Sequence, residues 1–184
     1  DTLEQENYIY DLPVLNNEQS ECASVIKEGL DHYKVTLLNG VTGSGKTEVY
    51  IELITEVINK GQQVLYLLPE ISLTPQMVMR LQERFGSEVT VYHSKFSENE
   101  RVEIWNHVLN NDQHKFRIIL GARSSIFLPY QNLGLVIVDE EHESSFKQYD
   151  PSPRYNARDC SLILAKSFNA KVKASFKKNL GNNT

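Results

Sequence analysis

Eight consecutive residues, Gly40-Val41-Thr42-Gly43-Ser44-Gly45-Lys46-Thr47, carry the spacing G-x-x-x-x-G-K-[ST]. Glycines at these positions let the backbone turn its N–H groups inward around an anion, and a helix starting at Lys46 points its positive end at the same place. In that arrangement Lys46 reaches the β- and γ-phosphates of a nucleotide and the Thr47 hydroxyl reaches Mg²⁺. The alternative is a plain glycine-rich turn. With glycine near 7% of residues, a chance match somewhere in a chain this long is on the order of one in a hundred.

A second cluster follows an apolar run: Leu135 to Val138 leads straight into Asp139, Glu140, Glu141 and His142. Carboxylates at the carboxyl end of a buried strand lie where open α/β sheets bind ligands. Asp139 is placed to partner Mg²⁺, and Glu140 to orient or deprotonate a water attacking a γ-phosphate. Glu141 reads as a spacer, and an acidic turn closing the strand is the plain alternative for the whole cluster.

Local patterns supply the elements that must position these groups. Asn16 to Leu30 reads as a helix with Val25, Ile26 and Leu30 on one face, and Lys34 to Leu38 as a strand leading into the glycine-rich turn. From Lys46 to Lys60 the apolar residues Val49, Tyr50, Leu53, Ile54, Val57 and Ile58 recur at helical spacing, with Gly61 as the stop. Gln63 to Leu68 is apolar on both faces, as a central strand should be. Thr74 with Pro75 opens a helix ending at Gly86, Glu88 to Tyr92 is a strand, and Ser97 with Glu100 forms a capping box. Arg117 to Leu120 and Leu135 to Val138 read as strands, and Asn156 with Asp159 starts a last helix. Trp105 and Met77 are expected in the core. Strands alternating with helices predict an α/β domain with a largely parallel β-sheet flanked by helices.

The 184 residues predict one domain, and 19 basic against 24 acidic residues give a net charge of −5. Such a balance excludes disordered and supercharged classes, and it confines any nucleic-acid contact to a local basic surface. Cys22 and Cys160, the two cysteines, make neither a CxxC pair nor a zinc cluster and are expected as reduced thiols. No apolar run approaches the roughly 18 residues of a membrane span. With no signal peptide in the sequence, a soluble cytoplasmic chain without membrane contact is expected.

Asp139 to His142 (DEEH) resembles the hydrolysis motif of superfamily-two helicases. The flanked phosphate loop LLNGVTGSGKTEVYIELI, LLPEISLTPQ (67–76), His93-Ser94, GARS (121–124), LGLVIVDEEHE and PRYNARD narrow the likeness to the bacterial primosomal replication-restart helicases, the PriA family. This resemblance covers residues 15–172 and implies a RecA-like P-loop NTPase lobe, the first of two motor lobes that bind ATP between them and grip single-stranded DNA across their tops. It divides the chain into a lead-in (1–14), the lobe (15–172) and a divergent tail (173–184) expected to be disordered.

Carried over position by position, Gln19 resembles an adenine-reading glutamine, with an exposed helix residue as the alternative. His142 would couple the nucleotide site to DNA. Pro69, Glu70, Thr74 and Gln76 would contact DNA backbone, a role compatible with helix capping. Arg123 with Ser124 resembles another backbone-contacting position, where a guanidinium suits bidentate phosphate binding; a surface salt bridge is the alternative. Phe146, Lys147, Tyr149, Arg154 and Tyr155 resemble a DNA-sensing aromatic loop in which rings stack on bases and cations hold phosphates; core packing of the rings is the alternative. Single-stranded and forked DNA, primosome proteins and single-stranded-DNA-binding protein are the implied partners. After Lys171 the family's Ser-Ala-Thr strand is not recognisable, and the second lobe with its arginine finger and zinc-binding cysteines is not found in the chain. Zinc is therefore not expected here, and turnover by this chain alone should be poor. Two rivals remain: a nucleotide- or DNA-binding module without turnover, and another superfamily-two translocase, which RNA would stimulate as well as DNA.

Overall fold

A computed structural model describes residues 9–33, 35–39, 46–93, 95–112 and 114–176. Six strands form one sheet: β1 (Val35–Asn39), β2 (Gln63–Leu67), β3 (Val89–Tyr92), β4 (Ile118–Gly121), β5 (Leu133–Val138) and β8 (Lys171–Phe176). Their order is β1-β8-β5-β2-β4-β3, and every neighbouring pair is parallel. Helix α1 (Asn17–Tyr33) precedes β1, and crossovers run through α2 (Lys46–Asn59), α3 (Pro75–Phe85), α4 (Glu98–Asn110) and α5 (Ala157–Phe168). A two-residue antiparallel ribbon, β6 (Lys147–Gln148) with β7 (Tyr155–Asn156), stands apart from the sheet.

Successive strand residues face opposite sides, and the two cores follow that alternation. Val64, Tyr66, Leu68, Ile118, Leu120, Leu135 and Ile137 pack under α1, α2 and α3 with Ile26, Ile54 and Phe85. Leu65, Leu67, Ile119, Val136 and Val138 pack under α4 and α5 with Ile104, Val108 and Ala165. Cys22 belongs to the first side and Cys160 to the second, so the sheet separates the two free thiols. No helix among the described residues is long and apolar enough to cross a membrane.

Helix ends follow their chemistry. Thr74 caps α3 with Pro75 at its first position, Gly86 closes it at φ +54°, and Asn156 caps α5. Ser97 and Glu100 form the reciprocal capping box of α4.

Two expectations fail because neighbours on a helix lie about 100° apart around its axis. Val25 is 61% exposed beside the buried Ile26, and Trp105 is 44% exposed beside the buried Ile104. Met77 is only partly buried against the first core. A further difference concerns β8, which runs through Phe176, past the boundary drawn at residue 173 into the tail expected to be disordered. Between β1 and β5 it gains a hydrogen-bonding partner on each side, and this places Lys173 inside the protein at 0% exposure.

Candidate functional site

A parallel sheet brings the carboxyl ends of β1, β2, β3, β4 and β5 to one edge, and the candidate residues follow those ends. Lys46 and Thr47 are the first two residues of α2, both half-buried. Gly40, Val41, Thr42, Gly43, Ser44 and Gly45 lie outside the described residues, as does Ser94.

Asp139 is the first residue after β5, and its N–H donates to Leu67 O at 3.0 Å, which extends the pairing with β2 by one step. By strand alternation it shares the side of Leu135 and Ile137, the side that α2 covers. One carboxylate oxygen accepts from the Tyr66 hydroxyl at 3.3 Å and the other from Glu140 N–H at 3.1 Å. Burial, and after it the neighbouring Asp139 charge, holds the Tyr66 hydroxyl well above the ordinary tyrosine range, so it stays a donor.

Glu140 has φ +51°, a left-handed conformation that costs a residue with a Cβ about 1 to 2 kcal/mol. The turn is closed by Glu143 N–H donating to Glu140 O at 2.9 Å. Ligand atoms of Glu140, His142 and Glu143 all lie within 4.8 Å of one another, with His142 exposed. Glu141 accepts from Arg158 at 2.8 Å, which ties the acidic turn to α5.

Gln19 sits in the first turn of α1, where it exchanges two bonds with Asn16: Asn16 N–H donates to Gln19 Oε1 at 3.0 Å and Gln19 N–H to Asn16 Oδ1 at 2.8 Å. Its amide oxygen thus takes part in the cap of α1, and the residue is half-buried.

Beside the acidic turn a cleft of about 370 Å³ is lined by Pro69, Glu70, Ile71, Arg123, Glu143 and Ser145, among others. Glu70, Thr74 and Gln76 are exposed, Pro69 is buried and Ser124 half-buried. The Thr74 hydroxyl accepts from Met77 N–H at 3.4 Å. Arg123 donates to Lys147 O at 3.3 Å, so the candidate backbone-contacting arginine and the β6–β7 ribbon meet. On the ribbon, the Lys147 ammonium lies 4.6 Å from the centre of the Tyr149 ring, Tyr149 is 60% exposed and Arg154 is exposed. Phe146 departs from this set. It is 1% exposed, packed in the α4–α5 core, and a ring buried on both faces has none to offer a base.

Residues 16–173 match the DEAD/DEAH box helicase family. The chain belongs to this helicase family. It is similar to replication restart protein PriA of Bacillus subtilis (strain 168), 47% identical over 160 residues that cover 86% of this chain and 19% of that protein. Against PriA of Chlamydia trachomatis serovar D the identity is 45% over 167 residues, covering 90% of this chain and 22% of the relative. The chain therefore spans about a fifth of the length of the curated relatives it matches. Among solved structures, the DUF1998 helicase MrfA aligns with a TM-score of 0.62 at 16% identity, over 90% of this chain and 27% of that one. RecG bound to a three-way DNA junction aligns with a TM-score of 0.59 at 24% identity, over 94% and 25%. These likenesses show a shared fold.

In this helicase lobe, three features at the sheet edge escape sequence reasoning. Tyr66 reads as one more apolar strand residue until its hydroxyl is seen on Asp139. Arg158 gives no signal of its pairing with Glu141, 17 positions away. Phe127, 56% exposed, packs edge to face on Tyr155 with ring centres 5.0 Å apart.

Proposed function

We propose that this chain is the ATP-binding motor lobe of an ATP-dependent DNA helicase acting in replication restart, where Mg²⁺·ATP hydrolysis drives translocation on single-stranded DNA. The observation that carries the reading is the placement of Asp139 at the carboxyl end of β5, on the side of the sheet covered by α2, whose first residues are Lys46 and Thr47. The loop 40–47 cradles the phosphates, Lys46 neutralises the β- and γ-phosphates, and Gln19 contacts adenine. A hydroxyl on Thr47 and a carboxylate on Asp139 are the hard oxygen donors that Mg²⁺ prefers, and the carboxylate is already oriented by two hydrogen bonds. Bound there, the ion would neutralise charge on the transferring phosphoryl group. Glu140 orients the attacking water, and His142 relays the state of the site toward the DNA surface.

Single-stranded DNA lies across the cleft lined by Pro69, Glu70 and Arg123 and contacts Thr74, Gln76 and Ser124, with Lys147, Tyr149, Arg154 and Tyr155 beside it. Forked DNA, primosome proteins and single-stranded-DNA-binding protein are the partners, in the cytoplasm. The relatives named replication restart protein support this assignment. Arg123→Ala is expected to weaken single-stranded DNA binding about tenfold and to lower the salt slope by about one counterion, across sequences alike. Fluorescence anisotropy over a salt series measures both, and an unchanged slope would remove Arg123 from the backbone contacts.

The deciding experiment is calorimetric titration with Mg²⁺·ATP followed by steady-state hydrolysis with and without single-stranded DNA. Binding without appreciable turnover is expected, because an arginine from a second lobe contributes about 10³ to 10⁵ in rate. No binding would overturn the reading, DNA-stimulated turnover would overturn the need for a second lobe, and equal stimulation by RNA would favour another superfamily-two motor.

A further inference from the structure

We infer that Tyr66 is a positioning residue for Asp139, joining the helix of the phosphate-binding lysine to the carboxylate at the strand end. The inference rests on the nucleotide-site reading above. Tyr66 is the fourth of the five residues of β2 and is 1% exposed. Its ring packs edge to face on Tyr50 of α2, with centres 5.6 Å apart at 87°, and its hydroxyl donates to Asp139 at 3.3 Å. Tyr50 follows Lys46 by one helical turn. One side chain therefore spans the layer between α2 and β5 at the level of the site.

A hydroxyl in so apolar a place is costly to bury unless it is bonded, and a phenylalanine would fill the same space without that cost. What the hydroxyl adds is a fixed direction for one oxygen of Asp139, while Glu140 N–H holds the other. Together they leave the carboxylate little freedom to rotate. Outer hydrogen bonds of this kind are worth about 10- to 100-fold in metal affinity.

The test is Tyr66→Phe, which keeps the ring and its packing on Tyr50. Tyr130→Phe is the control: its hydroxyl is as buried and donates to Ser125 O at 3.0 Å, on the opposite side of the sheet. A fluorescent ADP analogue is titrated onto the folded 184-residue chain in EDTA, and then Mg²⁺ is titrated into the complex. For Tyr66→Phe the half-saturating Mg²⁺ concentration is expected to rise about tenfold while affinity in EDTA stays within about twofold. Tyr130→Phe should move neither. A Mg²⁺ requirement unchanged in Tyr66→Phe, or shifted equally in Tyr130→Phe, overturns the inference and leaves the nucleotide site standing. A wild-type chain whose nucleotide binding ignores Mg²⁺ overturns the site and the inference together.

Discussion

Alanine in place of Lys46 is expected to lower the affinity for Mg²⁺·ATP by about a hundredfold while the fold survives. The ammonium at the first position of α2 adds charge-assisted bonds to phosphate on top of those from backbone N–H groups. Hydrogen bonds to charged groups are worth roughly 1.5 to 3 kcal/mol, and about 2.7 kcal/mol is a factor of a hundred. The fold should be indifferent because alanine is the best helix former and Lys46 is half-buried, outside the core. Calorimetric titration of both proteins, with thermal melts to show equal stability, measures the difference. An affinity unchanged in a folded variant would mean that the loop 40–47 holds no phosphate.

The second large effect is one of stability. Lys173 sits in β8 between β1 and β5 at 0% exposure, and its Nζ has no hydrogen-bond partner among the described residues. Burial pushes its pKa down to about 8 from 10.5, against a smaller upward influence from Cys22. Because the folded value lies below the unfolded one, the unfolded chain binds more protons between about pH 8 and 10.5, and stability rises with pH across that window. Below pH 8 the whole penalty is in force, about 3 kcal/mol for a shift of this size. Lys173→Met keeps the length and removes the charge. It is expected to stabilise the chain at pH 7 by about 3 kcal/mol, a rise in Tm of roughly 6 to 12 °C. Wild type should approach the variant near pH 10. Thermal melts of both proteins at pH 7 and pH 10 check this, and equal Tm values at pH 7 would mean that the ammonium finds water or a counter-charge in the fold.

Local pattern carried much of the architecture. The α2 stripe of Val49, Leu53, Ile54, Val57 and Ile58 and the unbroken apolar run of β2 are periodicities of a few residues, and backbone geometry alone makes them helix and buried strand. Caps at Thr74, Ser97 and Asn156 are equally local, since each hydroxyl or amide bonds an N–H two or three residues on. From such elements the parallel α/β class and its ligand-binding edge follow.

What tertiary structure decided is every relation between residues distant in the chain. Trp105 inverts its expected place and Phe146 takes the core alternative because burial depends on which face a neighbouring element covers, and on α4 a one-residue step turns a side chain by about 100°. Lys173 is interior because β8 inserts between two strands, a placement that outweighs the polarity of the residue itself. The hydroxyl of Tyr66 meets Asp139 across 73 positions because β2 and β5 pair in a register that sends both side chains to the same side. By itself the sequence determined most of the elements, β8 and the β6–β7 ribbon excepted, and which groups could do chemistry at their ends. Strand order and register decided which of those groups meet, because packing free energy depends on the whole chain and periodicity depends on a few neighbours.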